Sequence, residues 1–119
     1  VCVPISKITE CVKFAEQQAK KFGVRAPMVG HMGDGNFHVI LPFDPKNKES
    51  YKKIRAFNDT LIKKSLELNG TITGEHGVGL HKKEYLLEQH PDNIPVMKSI
   101  KRTLDPNNIM NPGKIFDLN

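Results

Sequence analysis

Two histidines flank a glycine-rich stretch and could bind one metal ion together. The stretch runs from Gly30 to His38 and reads GHMGDGNFH, with three glycines that disfavour a helix. Asp34-Gly35 predicts a two-residue hairpin turn, because a type I′ turn needs positive φ at both central positions. Such a turn places His31 opposite His38, with Cβ atoms about 5 Å apart on the same face. The alternative is a glycine-rich turn that carries two unrelated histidines.

A second glycine-rich stretch supplies a carboxylate and a further histidine. It reads GEHGVG from Gly74 to Gly79 and contains Glu75 and His76. Two histidines and one glutamate are the composition of an open catalytic site for a divalent metal. Zinc is the first candidate, with manganese and iron as alternatives, because imidazole and carboxylate ligands discriminate weakly. The alternative interpretation of Glu75 is an exposed carboxylate in a surface turn.

His76 directly follows the predicted carboxylate ligand and is our candidate general base. A cation bound by Glu75 lowers the pKa of a bound hydroxyl, which makes proton transfer to a neighbouring imidazole easier. His81 and His90 lie in or beside a predicted helix and are interpreted as ordinary surface or helix-end histidines. The sequence contains no nucleophile elbow, phosphate-binding loop or dinucleotide fingerprint.

The elements around these motifs predict an α+β fold. Apolar residues spaced by three and four predict two helices, one capped by Ser6 and ending at Gly23, the other running from Asp44-Pro45 to Asn69-Gly70. Short strands are predicted at 1–5, 27–31, 36–43 and 71–73. The order β-α-β-β-α-β predicts a ferredoxin-like antiparallel sheet with two helices on one face.

The two faces of the predicted sheet have different roles. Phe37 and Val39 should pack against the helices, while His31 and His38 lie on the opposite face. A C-terminal helical segment follows, with one helix over 80–88 and another from Ile94 to Leu104.

Composition limits the class of protein. The 119 residues, 38% hydrophobic and 26% charged, suit one domain, and no apolar run approaches a membrane span. Two cysteines do not suggest a disulfide scaffold. The net charge of +5 comes from scattered lysine pairs, which are more typical of solvated helix faces than of a nucleic-acid groove. An anionic substrate or an acidic partner fits the same charge, and a non-catalytic ferredoxin-like module for ligand binding or oligomerisation is the main alternative function.

Three motifs in order resemble one protein family. The strings GHMGDGNFH (30–38), GEHGVG (74–79) and LDPNNIMNPGKIF (104–116) resemble the C-terminal part of FAD-linked oxidases of the vanillyl-alcohol-oxidase type. Within that family they are most similar to the cytochrome-linked D-lactate dehydrogenases and the flavoprotein subunit of glycolate oxidase. The resemblance covers almost the whole chain.

This resemblance implies a reaction and a set of site residues. Members of the family transfer a hydride from a small D-2-hydroxy acid to FAD, and then pass electrons to a cytochrome, a quinone or another flavoprotein. The family's divalent-metal ligands correspond to His31, His38 and Glu75, and its catalytic base corresponds to His76. Asn111 corresponds to a position near the flavin.

Two departures from the family refine these expectations. Relatives that act on D-2-hydroxyglutarate carry asparagine where this chain has Ile40, so the resemblance implies D-lactate or another short or hydrophobic hydroxy acid. The family's FAD-binding domain is absent from residues 1–119, which predicts a substrate-domain fragment that is inactive alone. Apolar surface exposed by that absence favours a homodimer. The expected location is cytoplasmic or peripheral to the inner membrane in bacteria, and mitochondrial in a eukaryote.

Overall fold

The computed structural model describes residues 1–118 and has an α+β architecture. Its regular elements are α1 (Ile8–Phe22), β1 (Met28–Val29), β2 (His38–Val39), α2 (Lys48–Glu67), α3 (Lys83–Gln89) and α4 (Ile94–Leu104). Short 3₁₀ turns cover Ile5–Lys7 and Met32–Asp34. The chain divides into two compact units, Val1–Glu75 and His76–Asn119.

Helix α1 forms as its apolar stripe predicts, with a different start. Cys11 and Ala15 on that stripe are completely buried. Gly23 ends the helix in the left-handed conformation (φ +62°), as predicted from its lack of a side chain. The predicted cap by Ser6 is wrong, because Ser6 lies inside the 3₁₀ turn that leads into the helix.

Helix α2 packs against α1 and closes the core of the first unit. It begins later than predicted, since Asn47 is its cap and accepts a hydrogen bond from the Ser50 amide at 3.0 Å. The Phe57 ring of α2 meets Phe22 edge to face at 6.4 Å. Phe57 is completely buried, so the two helices exclude water from their contact.

The extended segments are shorter than predicted. Only β1 and β2 form a sheet, which is antiparallel and two-stranded among the described residues. Cys2 adds single antiparallel bridges to Asn36 on one side and Thr71 on the other. Pro27 has no amide hydrogen and Gly30 lies against the backbone of the partner segment, so regular pairing stops within two residues.

The predicted two-residue turn at Asp34-Gly35 is wrong. Met32–Asp34 form a 3₁₀ turn in which the Asp34 amide donates to His31 O at 2.9 Å. Of the two predicted turn residues, Gly35 has positive φ and Asp34 does not. The register consequently pairs Val29 with His38, where His31 was predicted. The cause is a long-range contact, because Gly35 O accepts from the Val3 amide at 2.9 Å.

The buried face of the extended segments matches the prediction. Phe37 is completely buried, and Val39 and Leu41 pack against the same core. The buried members of that core are Val3, Cys11, Ala15, Phe37, Phe57, Leu61 and Leu68.

The second unit contains α3, α4 and a C-terminal segment joined by polar contacts. Helix α3 begins at Lys83, later than predicted, whereas α4 ends at Leu104 as predicted. Asp105 then accepts hydrogen bonds from the amides of Ile109 (3.0 Å) and Met110 (2.9 Å) and pairs with Lys101. The Lys101 ammonium, with those two amides, lowers the pKa of Asp105. In residues 1–118, none of the helices has the length and apolar character that crossing a membrane requires.

Candidate metal centre

His38 and Glu75 are in direct contact within the first unit. The Nε2 atom of His38 lies 2.9 Å from Oε1 of Glu75, and both side chains retain partial access to solvent. Their ligand atoms lie within 4.8 Å of each other, which is close enough to hold one ion. The structure therefore brings together two of the three predicted ligands.

Backbone constraints place these two side chains. His38 begins β2 directly after the buried Phe37, so the core fixes the strand from which the imidazole projects. Glu75 follows Gly74 a few residues beyond Thr71, whose backbone is bonded to Cys2 in both directions (2.7 and 3.3 Å). The Cys2 segment thus connects the segment that leads to Glu75 with the segment around Asn36.

His31 occupies a different environment from the one predicted. Its side chain is exposed, and its residue precedes the 3₁₀ turn in an extended conformation (φ −94°, ψ 71°). His31, His38 and Glu75 do not form a group of described ligand atoms within 4.8 Å of one another. The wider turn accounts for this difference, because it shifts the pairing partner of His38 to Val29.

The contact between His38 and Glu75 fits a shared divalent ion. Two ligand atoms bound to one Zn²⁺ at about 2.1 Å and a tetrahedral angle lie about 3.4 Å apart. The observed 2.9 Å separation needs to open by only about half an ångström to admit the ion. An imidazole and a carboxylate are also ligand types that Zn²⁺, Mn²⁺ and Fe²⁺ accept.

The remaining candidates lie in the second unit. His76 is its first residue and has an exposed side chain. Asn111 is also exposed and has positive φ (+46°), in a segment where Lys101 Nζ donates to Met110 O. Nothing in these local contacts assigns His76 or Asn111 a chemical role.

The sequence analysis did not identify Asn36, a buried residue of the first motif, as part of the site. The residue is 6% exposed, and its side chain lies directly against Gly74. Its position inside the GHMGDGNFH motif was visible, but the contact with Gly74 joins segments almost forty positions apart. No local pattern carries that information.

Comparison with known proteins identifies the family. Residues 1–115 match the family model described as "FAD linked oxidases, C-terminal domain". The chain belongs to this family.

Three relatives show the range of named activities within the match. The chain is 40% identical over 119 residues to "Probable D-lactate dehydrogenase, mitochondrial" of Danio rerio, covering 99% of this chain and 24% of the relative. It is 41% identical over 115 residues to "Glycolate oxidase subunit GlcD" of Bacillus subtilis, covering 96% of this chain and 24% of the relative. It is 46% identical over 90 residues to "D-2-hydroxyglutarate dehydrogenase" of Stutzerimonas stutzeri, covering 73% and 19%.

This C-terminal family domain is only part of each relative. The chain spans about a quarter or less of the length of the curated relatives that it matches. The family name implies FAD as the cofactor, and the names of these relatives imply a hydroxy acid as their substrate.

Proposed function

We propose that this chain is the substrate-side domain of an FAD-dependent D-2-hydroxy acid dehydrogenase, with D-lactate as the substrate. The observation that carries the proposal is the 2.9 Å contact between His38 and Glu75. Each residue lies in a separate glycine-rich motif, and the chain matches the FAD-linked oxidase domain along almost its whole length. The fragment would be inactive without the FAD-binding part of the protein.

The proposed ligands of the divalent metal are His31, His38 and Glu75. An ion bound there, with zinc as first choice, would supply Lewis-acid stabilisation of the substrate carboxylate and hydroxyl. His38 and Glu75 offer a preformed pair, whereas His31 is proposed on the strength of the family motif. His31 and Glu75 are exposed and His38 is half-buried, which leaves room for a small anionic substrate. The net charge of +5 also favours an anion.

His76 is proposed as the general base. Its imidazole would take the substrate hydroxyl proton as the C2 hydrogen leaves as a hydride, which conserves both protons and electrons. FAD, when bound by the rest of the protein, supplies the hydride acceptor. Asn111 is proposed to lie near the flavin, since the motif around it matches the family.

We also propose that the first unit is a shortened ferredoxin-like arrangement. In that topology the first extended segment, here around Cys2, lies between the third, around Asn36, and the fourth, around Thr71. It is antiparallel to both. The bridges from Cys2 to Asn36 and Thr71 have that order and direction. The contact between α1 and α2 supplies the helical layer that the topology requires.

Ile40 supports D-lactate over a substrate with a second carboxylate. Its side chain is 52% exposed, two residues after His38. An apolar group at this place offers no hydrogen bond to a distal carboxylate, whereas it tolerates the methyl group of lactate.

In the complete protein, electrons would pass from the flavin to a cytochrome, a quinone or another flavoprotein. We propose a mitochondrial location in a eukaryotic host, and a cytoplasmic or peripheral inner-membrane location in a bacterial one.

The direct test uses the complete FAD-loaded protein mixed with D-lactate without oxygen. The visible absorbance of oxidised flavin should disappear, and His76→Gln should slow this step by about 10²- to 10⁴-fold. Ile40→Asn should raise the rate with D-2-hydroxyglutarate relative to D-lactate. Ile5→Asn, an equivalent change at a side chain 62% exposed, should leave that ratio unchanged. Failure of D-lactate and other D-2-hydroxy acids to reduce the flavin would refute the proposed reaction.

A further inference from the structure

The side chain of Asn36 fills the space where Gly74 lacks one. A Cβ atom placed on Gly74 would lie 2.1 Å from Oδ1, 2.9 Å from Cγ and 3.2 Å from Nδ2 of Asn36. Its three nearest atoms therefore all belong to the Asn36 carboxamide. Gly74 immediately precedes Glu75, so the carboxamide supports the backbone from which that carboxylate projects.

The backbone of Asn36 is bonded to the segment that carries His31 and His38. Its amide donates to His31 O at 3.3 Å, and it lies two residues before His38. The antiparallel bridge to Cys2 fixes its backbone. One buried residue thus connects the histidine segment to the Gly74–Glu75 segment.

The chemistry of the Asn36 side chain is unusual for a packing role. Oδ1 is buried and has no hydrogen-bond partner within the described part of the chain. An unpaired buried amide oxygen costs free energy, which an apolar side chain of similar size would avoid. Stability alone therefore does not account for asparagine at this position.

We propose that Asn36 is a positioning residue for Glu75. Its carboxamide holds the Gly74–Glu75 backbone so that the Glu75 carboxylate meets His38. This inference rests on the proposed metal site, because Glu75 acts there as a ligand. Supporting groups around metal ligands typically change metal affinity by 10- to 100-fold when they are removed.

A double-mutant cycle on the 119-residue chain tests the contact. Zn²⁺ affinity is measured by calorimetry for wild type, Asn36→Ala, Gly74→Ala and the double variant, with folding checked by circular dichroism. Gly74→Ala alone should weaken Zn²⁺ binding by about tenfold or more, because its methyl group displaces Asn36 or Glu75. In the Asn36→Ala background the space is vacant, so the same change should weaken binding by less than about threefold.

Matched controls separate the possible outcomes. Gly33→Ala meets no atom within 4 Å and should leave Zn²⁺ affinity unchanged. Equal losses from Gly74→Ala in both backgrounds would overturn the inference. So would lower urea midpoints with unchanged Zn²⁺ affinity, which is the result expected of packing alone. Wild-type affinity in His38→Ala would instead refute the proposed metal site, and the inference with it.

Discussion

Replacing Gly35 with alanine should destabilise the first unit strongly. Gly35 has φ +75°, and a Cβ atom there would lie 2.0 Å from Val3 O and 3.2 Å from Val3 C. Real Cβ contacts below 3.0 Å essentially never occur, so the two segments must separate. The hydrogen bond from the Val3 amide to Gly35 O, 2.9 Å long, lies in the path of that movement.

The expected loss is the sum of two effects. Left-handed backbone costs alanine about 1–2 kcal/mol more than glycine. Separation of the segments also weakens the Val3–Gly35 bond and the neighbouring Phe37–Val1 bond (3.2 Å), at about 0.5–1.5 kcal/mol each. Gly35→Ala should therefore lower the free energy of unfolding by roughly 2–5 kcal/mol, a large part of a typical domain's 5–15 kcal/mol.

Urea unfolding followed by circular dichroism measures this loss. With a urea dependence of about 2 kcal/mol/M, the midpoint should fall by about 1–2.5 M. Amide hydrogen exchange should accelerate at Val3 and Phe37, which localises the change. Gly33→Ala is the matched control, because it has no positive φ and no atom near its Cβ position. A midpoint for Gly35→Ala within about 0.3 M of that control would refute the reasoning.

Two further predictions concern the core and the second unit. Phe57→Ala removes a completely buried ring from the α1–α2 contact and should cost about 3–5 kcal/mol in urea unfolding, whereas Tyr51→Ala, 48% exposed, should cost far less. Asp105→Asn should lower the thermal midpoint at pH 7, since the pKa of Asp105 is lowered by Lys101 and the wild-type carboxylate stabilises the fold above its unfolded pKa. The difference from wild type should begin to shrink as the pH falls below about 3.9, the ordinary pKa of aspartate, and should be lost as the pH passes through the lowered pKa of the folded protein. A pH-independent difference would contradict this account, and Asp92→Asn, an exposed aspartate, serves as the control.

The sequence predicted the parts of the fold that depend on local periodicity. The stripe on α1, its end at Gly23 and the end of α4 are all confirmed. The packing of Phe37 and Val39 against the core is confirmed as well, because alternation along an extended chain is also local. These signals require no knowledge of distant residues.

Features that depend on distant residues could not be predicted. The Asp34-Gly35 pair carries a hairpin signal, yet the bond from the Val3 amide to Gly35 O produces a wider turn. The register changed accordingly, and His31 was not placed opposite His38. The sequence grouped Glu75 with His38 as ligands of one ion through their residue types, whereas the contact of Gly74 with Asn36 had no sequence signal.

Metal binding by His38 and Glu75 is the central claim of the account. Calorimetric titration of the metal-free chain with Zn²⁺ or Mn²⁺ tests it most directly, using wild type, His38→Ala, Glu75→Gln and the control His81→Ala. The account predicts one bound ion in wild type and His81→Ala, and at least tenfold weaker binding in the other two variants. Equal binding by all four proteins would contradict it.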